Sequence, residues 1–272
     1  MENLISVVTP CLNGENYIEE CLNSISSQSK DLNIEHIVVD GGSTDNTVDI
    51  LKSRTDIKWI SERDSGQSDA YNKGIKMAKG DWIILLDGDD ILLPGTLKLY
   101  LSEIKRNKDV DIIYGHTQFI DAKSKHIRYV ISTPFRYEYL IYGLAMPPSS
   151  GLLYRAELLK NNLMDINHHF NLDTEWYFRC GLGLNAKLVN NFTIGFRFWG
   201  QNKTSPLFEG SSIPEPIIKE RKVLKEKYKD PFLASLSNVR KKVNPLFFKI
   251  IYYLDKINNY CYLFLTKKLK GR

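Results

Sequence analysis

Apolar residues along the first 120 positions alternate between strand spacing and helical spacing. Leu4 to Thr9 is rich in β-branched residues and predicts a strand closed by Pro10. From about Glu15 to Ser27, Ile18, Cys21, Leu22 and Ile25 recur at helical spacing and predict an amphipathic helix. A second strand is expected over Ile34 to Val39, followed by the turn Asp40-Gly41-Gly42-Ser43-Thr44-Asp45, with Ser43 or Thr44 as N-cap of a helix reaching Lys52. Ile57 to Ser61 predicts a third strand, the polar turn Glu62 to Gly66 follows, and Gln67 to Ala78 predicts a helix stopped by Gly80. The unbroken run Trp82 to Leu86 suits a strand buried on both faces. Beyond Pro94, Leu97, Tyr100, Leu101 and Ile104 restore the helical period.

Strands that alternate with helices predict an α/β fold with a parallel sheet and crossover helices. In such a sheet ligands collect at the C-terminal ends of the strands. Asp40, Asp64 and Asp87 each fall just past such an end, which makes that rim the expected site.

Composition adds limits. With 272 residues, 43% hydrophobic and 25% charged, the chain is expected to be folded, as one large domain or a domain with an appendage. No apolar run approaches the roughly 18–20 residues of a membrane span. The opening Met1-Glu2-Asn3 shows no basic n-region or cleavage site, so a cytoplasmic protein is expected. The four cysteines, Cys11, Cys21, Cys180 and Cys261, are too far apart for zinc pairing and read as packed thiols. The pair His168-His169 has no metal-binding companions and reads as structural or surface residues.

Charge divides the chain. From Glu215 onward there are 15 Lys and Arg against 5 Asp and Glu, a balance of +10, while residues 1–214 carry −5. The expected organisation is a body over 1–214, in halves 1–120 and 121–214, and a basic helical extension over 215–272. Within the extension, Asn244 to Arg272 reads as an amphipathic helix with Phe247, Ile250, Ile251, Leu254, Ile257 and Cys261 on one stripe. That pattern suits either an in-plane helix on an anionic membrane or a helix packed on the body. No nucleic-acid-binding motif accompanies the charge.

The turn Asp87-Gly88-Asp89-Asp90 crowds carboxylates after a buried strand, which is costly unless a cation neutralises them. Hard oxygen ligands of this kind suit Mg²⁺ or Mn²⁺, which commonly bridge to substrate phosphates.

This turn does not stand alone. Val8-Thr9-Pro10-Cys11-Leu12-Asn13-Gly14, Val38-Val39-Asp40-Gly41-Gly42-Ser43-Thr44-Asp45-Asn46-Thr47, Asn72-Lys73-Gly74-Ile75 and Gly80-Asp81-Trp82 precede it in a fixed order. Together they resemble the family 2 glycosyltransferases, inverting enzymes with the GT-A fold that use nucleotide sugars. The resemblance implies a Rossmann-like, mostly parallel sheet flanked by helices. It also implies transfer of a sugar from a nucleotide diphosphate sugar, with UDP-sugar the expected donor, to a glycan or lipid-linked glycan hydroxyl. Pro10, Asn13 and Asp40 match the family's base- and ribose-binding positions, with Asp40 implied to accept a hydrogen bond from the nucleobase, Asp64 to Gly66 match the segment that closes over the base, and Thr9 and Asn72 are implied to belong to the nucleotide-sugar site. Asp87, Gly88 and Asp89 match the DxD turn, with Asp87 and Asp89 implied to hold the ribose and the divalent metal.

Inversion also requires a general base for the acceptor hydroxyl. Asn171-Leu172-Asp173-Thr174-Glu175 is similar to the family's base-bearing helix start, which implies Asp173 as the base and leaves Glu175 as the alternative. The chain departs from many relatives at Tyr71, where they carry Arg, and at Trp199, where they carry a His. Without that His, water or phosphate must complete the metal shell. Met146 to Gly151 falls where the family places acceptor contacts. Two other classes compete: a non-catalytic nucleotide-sugar-binding protein of the same fold, and a nucleotidyltransferase. The latter lacks its early Gly-rich segment here.

Overall fold

A computed structural model of the protein describes residues 3–141, 144–200, 202, 215–228 and 252–256. Its strands form one sheet in the order β3-β2-β1-β4-β8-β6-β9-β5, with β7 paired to β6. The first four are β1 (Ile5–Cys11), β2 (Ile34–Asp40), β3 (Lys58–Ser61) and β4 (Trp82–Leu85), mutually parallel. Each lies within two residues of its expected position. β1 alone runs on through Pro10, because β4 accompanies it only as far as Val8↔Leu85 and the missing N–H of Pro10 falls on the side with no further neighbour.

α1 (Ile18–Ser29) buries Ile18, Cys21, Leu22 and Ile25, the face that the spacing predicts. α2 (Thr47–Lys52) begins later than expected, since the hydroxyl of Ser43 donates to Asp40 and accepts the Asn13 N–H at 2.7 Å instead of capping a helix. α3 (Gln67–Met77) lies on β1 and β2 at close range. A Cβ at Gly74 would stand 2.3 Å from Val8 Cγ1, so only glycine allows this approach. α4 (Thr96–Arg106) follows the short β5 (Ile91–Leu92).

The second half breaks the parallel pattern. β6 (Ile112–Ile120) runs parallel to β9 (Ala186–Arg197), but β8 (Leu152–Arg155) is inserted antiparallel between β4 and β6. β7 (His126–Val130), α5 (Tyr137–Ile141), α6 (Ala156–Asn161) and α7 (Leu172–Cys180) complete the body. Cys11 and Cys21 are buried free thiols and Cys180 is half-buried, also free.

The helix that opens the basic extension, α8 (Glu215–Lys227), is not an appendage: Ile217 and Leu224 are fully buried, so position 214 does not end the packed chain. Of the expected amphipathic helix over 244–272, only 252–256 is among the described residues. There Asp255 accepts hydrogen bonds from Tyr139 Oη (2.6 Å) and Arg136 Nε (3.2 Å), while Tyr253 and Leu254 are exposed. Among the described residues no helix is long and apolar enough to cross a membrane.

Candidate functional site

The parallel register brings the ends of β1, β2, β3 and β4 to one edge, with Cys11 opposite Asp40 and Asp40 opposite Ser61. A cavity of about 410 Å³ opens there, a size ordinary for a small-molecule site. Its wall includes Pro10, Asn13, Asp64, Gly66, Asp87, Gly88, Asp89 and Asp173. Asn13 adopts φ 50, and its Oδ1 accepts the Thr44 N–H at 2.9 Å, which ties the β1 turn to the β2 turn. Asp64 Oδ1 accepts the Gly66 N–H at 2.8 Å, and Gly66, at φ 110, starts α3.

Three residues matched by the family motifs sit behind the wall. Asp40 is buried, and its carboxylate accepts from Gly42 N (3.1 Å), Ser43 N (3.0 Å), Ser61 Oγ (2.6 Å) and the Ser43 hydroxyl. It braces the turn. Thr9 pairs its hydroxyl with His36 Nε2 at 2.9 Å, and burial lowers the His36 pKa to about 3, so this imidazole is neutral. Asn72 is spent on the backbone of Met164, donating to its O (2.9 Å) and accepting from its N (2.8 Å), which fastens α3 to the chain that leads toward α7.

Asp87 and Asp89 of the turn are each held by two side chains, one of which, Tyr71 or Trp199, is a departure from the family pattern. Asp87 Oδ1 accepts from Tyr71 Oη (2.5 Å) and Gln67 Nε2 (2.6 Å). Asp89 Oδ2 accepts from Trp199 Nε1 (3.0 Å) and Asn202 Nδ2 (2.7 Å). Trp199 also packs on Tyr17, with ring centroids 5.2 Å apart. Behind them Arg197, fully buried, donates to the Asp89 carbonyl (2.7 Å) and to Glu20 (2.6 Å), while its N–H donates to Asp90 Oδ1 (2.8 Å). Asp90 is buried with Oδ2 lacking a hydrogen-bond partner, and burial followed by the charges of Asp89 and Asp87 raises its pKa well above the carboxylate range. Asp87 is thus oriented by bonds to its Oδ1 and Asp89 by bonds to its Oδ2, and among the described residues no group of three His, Cys, Asp or Glu forms a metal cage. A divalent ion fits such a pair when water and phosphate complete its shell, as Mg²⁺ prefers.

Asp173 lies in the first turn of α7 and lines the same cavity. Burial raises its pKa, opposed by hydrogen bonds from Thr174 (N–H at 2.6 Å) and by the charge of Arg221. A carboxyl raised in this way is suited to general-base work. Glu175 points elsewhere. It is fully buried, bonded to Arg179 Nε (3.0 Å), Arg179 Nη2 (3.1 Å) and Tyr228 Oη (2.5 Å), and is not among the cavity's lining residues.

The loop before α7 contributes wall residues that the sequence alone does not mark. His169 and Phe170 line the cavity; of the histidine pair, His168 is buried and His169 is a surface residue whose surface is the cavity wall. Ser149, from the expected acceptor loop, lines it too, and Ser150 Oγ accepts the Asp87 N–H at 3.0 Å. Cys11 also reaches the cavity, but burial, and then the charges of Asp40, Asp45 and Asp89, push its thiol up to about 12 and keep it protonated at neutral pH.

Residues 6–179 match the family described as Glycosyl transferase family 2. The glycosyltransferase GlyG of Streptococcus pneumoniae is 30% identical over 186 residues, 63% of this chain and 61% of that protein. An uncharacterised glycosyltransferase of Nostoc sp. is 32% identical over 169 residues, 57% of this chain and 52% of that protein. The matched segments span between 22% and 61% of the length of the curated relatives. Among solved structures, S. aureus TarS in complex with UDP-GlcNAc superposes with a TM-score of 0.58 at 21% identity, covering 77% of this chain and 62% of that one, a likeness of fold. With the family match running from β1 through most of α7 and this architecture beneath it, the chain belongs to glycosyl transferase family 2 and has the GT-A fold.

Proposed function

We propose that the protein is an inverting glycosyltransferase that moves a sugar from a nucleoside diphosphate sugar, a UDP-sugar, to a hydroxyl acceptor. The observation that carries this reading is the meeting of Asp173, with its raised pKa, and the turn acids Asp87 and Asp89 on one cavity wall. Asp173 takes the proton of the acceptor hydroxyl as it attacks the anomeric carbon, and the diphosphate leaves from the opposite side. The similarity to TarS, solved with UDP-GlcNAc, supports a UDP-sugar as donor.

The wall carries the carboxylates of Asp64, Asp87, Asp89 and Asp173 and, among its described residues, no Lys or Arg. Carboxylates on the wall repel a diphosphate, and a cation held by Asp87 and Asp89 would offset that repulsion, which supports Mg²⁺ or Mn²⁺. When bound, the ion stabilises the charge that develops on the departing diphosphate. Tyr71 and Gln67 orient Asp87, and Trp199 and Asn202 orient Asp89. The proposed acceptor is a glycan or lipid-linked glycan of a polysaccharide pathway, met at an anionic membrane face through residues 244–272. The support for that placement is the charge and pattern of the segment.

A screen of UDP-sugars tests the reading by release of UDP, with Mn²⁺ or with EDTA, in wild type and Asp89→Ala. Release that requires Mn²⁺ and is lost in Asp89→Ala is expected. Equal release in EDTA, or in Asp89→Ala, refutes the metal assignment, and no release with any donor refutes the enzymatic one.

A further inference from the structure

α8 meets the base-bearing helix at two levels. At the start of α7, Glu220 gathers three successive backbone N–H groups, from His169 (3.0 Å), Phe170 (3.1 Å) and Asn171 (3.1 Å), together with Asn171 Nδ2 (3.1 Å). Asn171, 3% exposed, is held from the other side by Arg221 Nε, which donates to its Oδ1 at 3.1 Å. Farther along, Tyr228 donates to Glu175 (2.5 Å) and stacks on Phe178 with rings 5° from parallel.

The segment so held is the one that builds the cavity wall and delivers Asp173. His169 and Phe170 are both exposed, Phe170 at 37%, so apolar burial does little to fix their backbone. Asn171 stands at the N-cap of α7 but makes no capping bond to its own helix, because its side chain faces α8. Hydrogen bonding to one carboxylate ties the three residues of this stretch together. Burial works against the charge on Glu220, but the bonds from His169, Asn171 and Phe170 outweigh it and leave the carboxyl below its usual range. At neutral pH it is therefore ionised, and bonds to an ionised acceptor are about twice as strong as neutral ones.

We infer that Glu220 is a positioning residue of the transfer site: it holds residues 169–171 so that His169 and Phe170 form the wall and α7 presents Asp173 to the cavity. The inference rests on reading the cavity as a glycosyl-transfer site. It assigns to the first helix of the basic extension a part in catalysis that its composition, a run of charged residues, does not suggest.

The test uses the full chain with Glu220→Gln, Glu220→Ala and, as control on the same helix, Lys222→Ala, which changes an exposed residue. Amide hydrogen exchange over the loop is measured beside kcat on the UDP-sugar that wild type turns over, calorimetric UDP binding and Tm. In Glu220→Ala, amides 169–171 are expected to exchange about tenfold faster or more, the loss of charge-assisted bonds. kcat is expected to fall by about 10²-fold, the cost of an Asp173 displaced by about 1 Å. UDP affinity should hold, because Asp87 and Asp89 lie on other elements, and Glu220→Gln, which keeps an acceptor oxygen, should fall between wild type and Ala. Lys222→Ala should match wild type. Unchanged exchange at 169–171 overturns the inference, as does faster exchange with unchanged kcat. A wild-type chain that transfers no sugar defeats the functional reading instead, and exchange then decides whether Glu220 holds the loop.

Discussion

Asp173 and Glu175 stand two residues apart on α7, and substituting each by its amide separates chemistry from architecture. Asp173→Asn keeps an oxygen able to accept the Thr174 N–H, now at 2.6 Å, so the local backbone should stay in place. It removes the proton acceptor, and a positioned general base contributes about 10²–10⁴ in rate. At about 1.36 kcal/mol per decade this is roughly 2.7–5.4 kcal/mol of barrier. The stability effect has the opposite sign. The folded-state pKa of Asp173 is raised, so ionising it costs folding stability as pH rises through that value, and the uncharged amide removes the cost. Tm should hold or rise. Glu175→Gln weakens the bonds to Arg179 and Tyr228 at a side chain 1% exposed. Loss of charge-assisted bonds costs about 1.5–3 kcal/mol. Arg179, 32% exposed, can turn to water, which keeps the loss below that of a fully buried pair. At about 2–4 °C per kcal/mol for a chain of this size, Tm should fall by roughly 3–12 °C. Transfer well below Tm should persist. Thermal melts and single-turnover transfer on both variants decide the matter: wild-type transfer by Asp173→Asn, or transfer abolished in Glu175→Gln with Tm unchanged, would refute the reasoning.

The acid limb of kcat/KM should lie above the ordinary aspartate range, with transfer falling about tenfold per pH unit below it, because a protonated Asp173 cannot accept the hydroxyl proton. Arg221→Ala removes a charge that lowers this pKa, so a pH–rate profile should show the limb at higher pH; a limb that stays or moves down counts against Asp173. Gly74→Ala gains about 1 kcal/mol of helix propensity but puts a Cβ 2.3 Å from Val8 Cγ1, and overpacking costs about 1–3 kcal/mol, so a urea titration should show net destabilisation. A chain ending at Val243 should bind UDP as the full chain does but lose flotation with anionic liposomes, since about 1 kcal/mol per basic residue near the surface goes with the tail, and salt should weaken flotation of the full chain. Equal flotation of the two chains would refute a membrane role for residues 244–272, of which Asp255 already bonds to Tyr139 and Arg136 of the body.

Local pattern was enough for the first half of the fold. Spacing located β1 to β4, the buried face of α1 and the acids beyond the strand ends, because periodicity reports which side of an element is apolar and a parallel α/β arrangement then sends strand ends to one rim. It could not announce β8, whose antiparallel place between β4 and β6 depends on neighbours distant in the chain. Nor could it tell which polar side chains face the cavity. Asp40 and Asp64 read alike as acids in Gly-containing turns, yet Asp40 is consumed by Ser43, Ser61 and Gly42 while Asp64 reaches the wall. Asn72 is turned away by Met164, His169 is brought in, and Glu220, which reads as one more charge on a solvated helix, gathers three backbone N–H groups. A charge or an amide carries no periodic signature of its partner, since its hydrogen bonds are made to groups that only the folded chain brings within 3 Å of it.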